Sequence, residues 1–245
     1  MKRVSKKILA VMCSIFMLGS IVSAADEPAE LNADSVEYDM NTEIITASGN
    51  VVLTRGADRA TGNFGTYDFR TKVARLSGNV TMISSNTKID CDEITSTEDH
   101  VVANGNVVGI QDDKTFHGQR VDYYPNDRKH ILIESGGTIT SIDGTFTANR
   151  IEGWIDEGHY IGTGNANLKS PAKNLEAGGD RIDYYSTDTN AVTSANSRGL
   201  LVIEGNAWAN QNNHTLRGNK LTLHIAENPN DKSNDFRIDS PGVNR

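Results

Sequence analysis

Apolar and polar positions alternate with period two along most of this chain, and the alternation is interrupted at regular intervals by glycine. One column runs Ile45, Ala47, Gly49, Val51 and Leu53, and another runs Ala74, Leu76, Gly78, Val80 and Met82. Val101, Ala103, Gly105 and Val107 follow, then Tyr160, Gly162, Gly164, Ala166 and Leu168, and finally Leu201, Ile203, Gly205, Ala207 and Ala209. Period two marks β-strands with one buried face. Glycine weakens a strand interior, so its return at the centre of each column marks a bend or a close approach of another group.

Between these columns lies a second pattern. A small residue is followed five positions later by a tyrosine: Ala33/Tyr38, Gly62/Tyr67, Gly118/Tyr123 and Gly179/Tyr184, with Cys91/Ser96, Ala148/Gly153 and Gly218/Leu223 as degenerate copies. An apolar residue sits two before the small one (Leu31, Ala60, Ile89, Phe116, Phe146, Ala177, Leu216). Another sits three after it (Val36, Ile94, Val121, Ile151, Ile182, Leu221). A gap of five changes parity, so a strand keeps both ends on one face only through an inserted residue, a β-bulge. Turn formers separate the runs, as at Asp39-Met40-Asn41, Asp68-Phe69-Arg70, Ser84-Ser85-Asn86 and Pro125-Asn126-Asp127.

The two patterns together form a repeat. The glycines of Gly49-Asn50-Val51, Gly78-Asn79-Val80, Gly105-Asn106-Val107, the weaker Gly136-Gly137-Thr138, Gly164-Asn165-Ala166 and Gly205-Asn206-Ala207 step by 29, 27, 31, 28 and 41 residues. The small residues step by 29, 29, 27, 30, 31 and 39. A period near 29 predicts serially wound two-strand units, about seven of them. The long last step is assigned to a polar insertion at 186–198, and the polar stretch 227–245 is read as a tail.

The ends and the composition narrow the class. Lys2, Arg3, Lys6 and Lys7 precede an apolar run over 8–22 and the small residues Val22-Ser23-Ala24, the layout of a secretory signal peptide at 1–24. The domain is then placed at 25–226, with two contiguous halves as an option. Removing four basic and no acidic groups leaves 20 basic against 32 acidic residues, or −12. That balance opposes nucleic acid as a partner. Cys91 is the one cysteine left after cleavage, so no internal disulfide is expected. It falls on the small-residue column and is read as a buried structural thiol. Six histidines show no metal-ligand spacing, and no nucleophile elbow or phosphate loop is present. No catalytic residue, metal or cofactor is assigned.

The run Leu31-Asn32-Ala33-Asp34-Ser35-Val36-Glu37-Tyr38-Asp39, then Ile44-Ile45-Thr46-Ala47-Ser48-Gly49-Asn50-Val51, with Leu76-Ser77-Gly78-Asn79-Val80 repeating the ending, resembles the OstA-like family of periplasmic lipopolysaccharide-transport proteins. The resemblance extends with drift over 29–225. It implies an all-β, open twisted β-jelly roll whose interior holds lipid acyl chains. It implies lipopolysaccharide as ligand, and as partners an inner-membrane lipopolysaccharide-export complex with its anchored subunit, an outer-membrane translocon and further copies of the chain stacked head to tail. The lining it implies is Leu31, Val36, Tyr38, Val51, Val80, Val107, Ile110, Phe116, Val121 and Tyr123, with Asp122 facing outward. Two rivals stay open: a right-handed parallel β-helix acting on polysaccharide or in adhesion, and a structural scaffold whose interior is ordinary core.

Overall fold

The computed structural model describes residues 29–185 and 199–224, except 85, 98 and 143. The expected signal segment, the 186–198 insertion and the 227–245 tail lie outside the described residues. The chain divides into two compact units at Asp127/Arg128.

Unit 1 holds β1 (Ala29–Asn32), β2 (Ser35–Asp39), β3 (Ile44–Arg55), β4 (Asp58–Asp68), β5 (Val73–Ser84), β6 (Thr87–Ser96), β7 (Val101–Gln111) and β8 (Lys114–Tyr124). Each strand from β3 onward pairs antiparallel with the next, while β1 and β2 both pair with β3 and form the edge. Unit 2 holds β9 (His130–Ser141), β10 (Gly144–Ala148), β11 (Arg150–Trp154), β12 (His159–Ser170), β13 (Leu175–Tyr185), β14 (Leu200–Gln211) and β15 (His214–His224). There β10 and β11 bridge β9 to β12, and β13, β14 and β15 follow in series. Every strand pair among the described residues is antiparallel, as the two-strand repeat predicts, and this removes the parallel β-helix.

The bend comes from the Gly-Asn pairs. Gly49 (φ 73°) and Asn50 (φ 46°) are both left-handed, as are Gly78/Asn79, Gly105/Asn106, Gly164/Asn165 and Gly205/Asn206. Glycine and asparagine are the residues that adopt this region at least cost. Register runs Ser48↔Phe64 and then Val51↔Gly62, so Gly49 and Asn50 oppose the single residue Asn63. The bulge is therefore shared between partners. The small/Tyr strand changes phase, with Ala60 and Gly62 and then Gly65 and Tyr67 buried, while the extra residue sits on the glycine strand. The weak copy is shifted by one from its expected place: Ser135 (φ 64°) and Gly136 (φ 93°) form the bulge, and Gly137 takes the buried valine position.

The bend is sharp. A Cβ on Gly137 would lie 2.9 Å from Cγ2 of Ile133, four residues back along the same strand. Four residues of straight strand span roughly 13 Å. Each sheet thus folds over its bulge column and buries its own inner face, as in a β-jelly roll.

A line of Asx and Gln side chains runs beside the glycines: Asp34, Asn63, Asp92, Gln119, Asn149, Asp180 and Asn219 each oppose a bulge. Asn50 Nδ2 donates to Asp34 Oδ2 at 2.9 Å, Asn106 Nδ2 to Asp92 Oδ2 at 3.0 Å, and Asn206 Nδ2 to Asp180 Oδ2 at 3.1 Å. A Cβ at Gly105 would collide with the Asp92 carboxylate, whereas one at Gly136 would meet nothing within 4 Å. Gly105→Ala is therefore expected to destabilise by about 2–3 kcal/mol, combining left-handed strain with loss of the Asn106–Asp92 bond. Gly136→Ala is expected to cost only the strain, about 1 kcal/mol. Urea denaturation of the two variants side by side checks the difference.

Candidate functional site

The inner face of each unit is built from four rows of side chains that cross the strands. In unit 1 the first row is Leu31, Leu53, Ala60, Met82, Ile89, Gly109 and Phe116. The second alternates large and small: Val51, Gly62, Val80, Cys91, Val107 and Gly118. Beyond the bulge come Val36, Ala47, Gly65, Leu76, Ile94, Ala103 and Val121. The last row is Tyr38, Ile45, Tyr67, Ala74, Ser96, Val101 and Tyr123. Unit 2 repeats the plan with Phe146, Leu168 and Ala177, then Ala148, Gly179 and Ala207, then Ile151, Gly162, Ile182 and Ile203, then Tyr160, Tyr184 and Leu201.

No charged residue stands in these rows. Burial pushes the Cys91 thiol up to about 12, and burial likewise pushes the Tyr160 hydroxyl up to about 12. The inner face therefore carries no net charge near neutral pH. Cys91 is buried and unbridged, as its place in the small-residue row implies. Among the described residues no His, Cys, Asp and Glu group has the geometry of a metal site. A neutral, apolar surface of this kind can solvate hydrocarbon.

Nine of the ten residues expected to line the interior fall in three groups. Val51, Val80, Val107 and Val121 are on the inner face and at most 5% exposed. Phe116 and Tyr123 are half-buried there, with the Phe116 ring lying over Gly109. Leu31, Val36 and Tyr38 also face inward, but on the edge strands. Among the described residues no strand pairs beyond them, and Val36 and Tyr38 stay 46% and 40% exposed.

Ile110 does not belong. It pairs with Lys88 and Thr115 on the opposite face and is 41% exposed, because the strand phase set by Val107 and Gly109 turns it away.

Asp122 does lie on that opposite face, but it is not solvent-facing: it is 2% exposed. Arg120 Nε and Nη2 donate to its two oxygens at 2.6 and 2.7 Å, and His100 Nε2 lies 2.8 Å from Oδ1. The His100 ring stacks on Tyr124 at 4.3 Å.

The same cluster recurs twice in unit 2. Arg150 and His130 hold Glu152 at 2.7 and 2.9 Å, and Arg181 and His159 hold Asp183 at 3.1 and 2.6 Å. Their rings form one stack across four strands, His130 on Trp154 at 5.0 Å, Trp154 on His159 at 5.1 Å and His159 on Tyr185 at 4.1 Å. These groups escape a search for metal spacing, since each histidine meets its carboxylate across strands. The legible signal is Arg-x-acid-x-aromatic, at Arg120-Val121-Asp122-Tyr123-Tyr124, Arg150-Ile151-Glu152-Gly153-Trp154 and Arg181-Ile182-Asp183-Tyr184-Tyr185.

A family model described as LptA/(LptD N-terminal domain) LPS transport protein matches residues 93–229, more than half of the chain. The chain belongs to this family. The match falls on the later repeats, whereas the run that carries the OstA-like resemblance, 31–82, precedes it. Among solved structures, the chain is similar to LptH, the LptA homologous periplasmic component of the conserved lipopolysaccharide transport device from Pseudomonas aeruginosa. The identity is 25%, over 44% of this chain and 82% of that one, with a TM-score of 0.40. No curated protein matches the chain. The LptA/LptD N-terminal family is one of transport proteins, and among the described residues no helix is long and apolar enough to cross a membrane.

The carboxylate clusters give a pH-dependent prediction. Burial alone would raise the Asp122 carboxyl, but the hydrogen bonds from Arg120 and His100 outweigh it and hold Asp122 below the ordinary value of 3.8. A lowered folded-state value means stability that is fully present above pH 3.8 and lost as the pH falls through the lower, folded value. Asp122→Asn is expected to cost about 1–3 kcal/mol at pH 7, the scale of hydrogen bonds to a charged group. The gap to the unsubstituted chain should narrow below pH 3.8. Urea titrations at neutral pH and at successive acid values measure both.

Proposed function

We propose that this chain is a periplasmic carrier of lipopolysaccharide that shields the acyl chains inside its folded sheets and assembles end to end through its edge strands. The observation that carries the proposal is the set of uncharged rows crossing strand after strand within each unit. Moving a 12–14-carbon chain through water costs on the order of 10 kcal/mol, at about 0.8 kcal/mol per CH₂. A carrier must therefore offer apolar wall at every step, and rows perpendicular to the strands supply it. Membership of a lipopolysaccharide-transport family supports the same ligand. The acidic balance is no obstacle, because phosphates and sugars stay in solvent.

Val36 and Tyr38 support the assembly half of the proposal. They continue the inner rows to the edge of unit 1 and are left exposed there. Among the described residues, strands β1 and β2 pair on one side only, and so does β15. An unpaired edge with an apolar inner row suits strand addition by another copy, by an inner-membrane export complex on one side or by an outer-membrane translocon on the other.

The scaffold reading has one observation in its favour: Val51, Val80 and Val107 are 0–1% exposed, so the interior is filled by its own side chains. Photocrosslinking separates the two. Benzoylphenylalanine at Tyr123, on the inner face, is compared with the same group at Ile110, on the opposite face, in cells that make lipopolysaccharide. The carrier gives a lipopolysaccharide adduct at 123 and none at 110. Equal adducts or no adduct at either, with folded protein present, leaves the scaffold.

A further inference from the structure

The two lateral margins of unit 2 are held by different chemistry. At one margin, β9 and β12 begin and β11 and β13 end. This margin carries the stacked rings of His130, Trp154, His159 and Tyr185. Glu152 and Asp183 are each gripped there by a histidine and an arginine, with carboxylates only 21% and 22% exposed. The Arg128 guanidinium lies 5.4 Å over the Trp154 ring and its Nη1 donates to Glu157 at 2.9 Å.

At the other margin, β9 turns into β10 and β12 turns into β13. Cross-strand pairs there include Lys169–Glu176, with side chains 65% and 48% exposed, Asn174–Asn212, and the hydroxyls of Thr140 and Thr145 at 3.4 Å. Those three lie in water, while the half-buried Gln211 Nε2 donates to the Lys173 carbonyl at 3.1 Å. Ile142 at that turn is 81% exposed and packs on little.

Hydrogen bonds to a half-buried charge are worth about twice or more those between solvated neutral groups, and exposed ion pairs contribute little. Opening free energy follows such local differences. We propose that the His130–Trp154–His159–Tyr185 margin is the fixed jaw of unit 2, and that its strands part from the opposite, hairpin margin, past which an acyl chain enters. The entry route rests on the carrier reading; the mechanical asymmetry does not. Among its described residues unit 1 carries a single cluster of the kind, His100, Arg120, Asp122 and Tyr124.

Hydrogen exchange on the full chain without lipid tests the asymmetry. Amides at 130–133, 151–154, 159–162 and 182–185 are expected to exchange at least about tenfold more slowly than those at 138–141, 144–147, 166–169 and 175–178. Equal or reversed rates overturn the proposal. In the double variant Glu152→Gln/Asp183→Asn the first set should speed up by about tenfold with the second unchanged. An unchanged first set in that folded variant also overturns it. The comparison in the unsubstituted chain stands whether or not the variant folds.

Synthetic lipid A is then added to the unsubstituted chain. Protection concentrated at the hairpin margin supports the entry route, and protection confined to the ring-stack margin overturns it. No protection anywhere, with the lipid-free asymmetry intact, sinks the carrier reading and the route together while the fixed jaw stands.

Discussion

A polypeptide can fold a sheet back on itself only where its backbone leaves the extended region, and in this chain that departure is made by pairs of left-handed residues. Gly49-Asn50 and its counterparts set the bend, and the Asx side chains opposite them fill the space that the glycines leave. Without that column the inner rows would lie on a flat sheet with one face in water. With it, residues on either side of the bend, such as Ile133 and Gly137, come so close that a Cβ on Gly137 would crowd Ile133. Burial, the uncharged interior and the proposed lipid path all follow from this backbone geometry.

The rows themselves were legible in advance. The small-residue column, the apolar positions two before and three after it, and the tyrosine at five map onto separate cross-strand rows. The reason is that a repeat of nearly constant length holds the register, so equal positions in successive repeats become neighbours. Where the length is uneven, equal spacing no longer marks equal positions. The copy at Ser135-Gly136-Gly137 is displaced by one because glycine there occupies both the asparagine and the valine places.

Facing was less legible at strand ends. Ile110 is apolar and sits in an apolar strand, yet it lies three residues beyond Val107 and so points the other way. Asp122 shows the converse limit. Its face follows from alternation, but its burial depends on Arg120 beside it and on His100 just before the neighbouring strand. Charge in a sequence predicts solvent until partners are known, and these partners are 2 and 22 residues away.

The bulge column also bears on how such a chain changes length over generations. Within each of the two compact units, a two-strand repeat carries its own bend and meets its neighbours through the same four rows. One unit can then be duplicated or lost without redesigning the rest, much as in linear repeat proteins whose stability is a sum over neighbours. The alternation of valine with a small residue in the second row keeps the walls matched at any new junction. Selection can thus tune the reach of the protein in steps of about 29 residues, leaving the chemistry of its lining untouched.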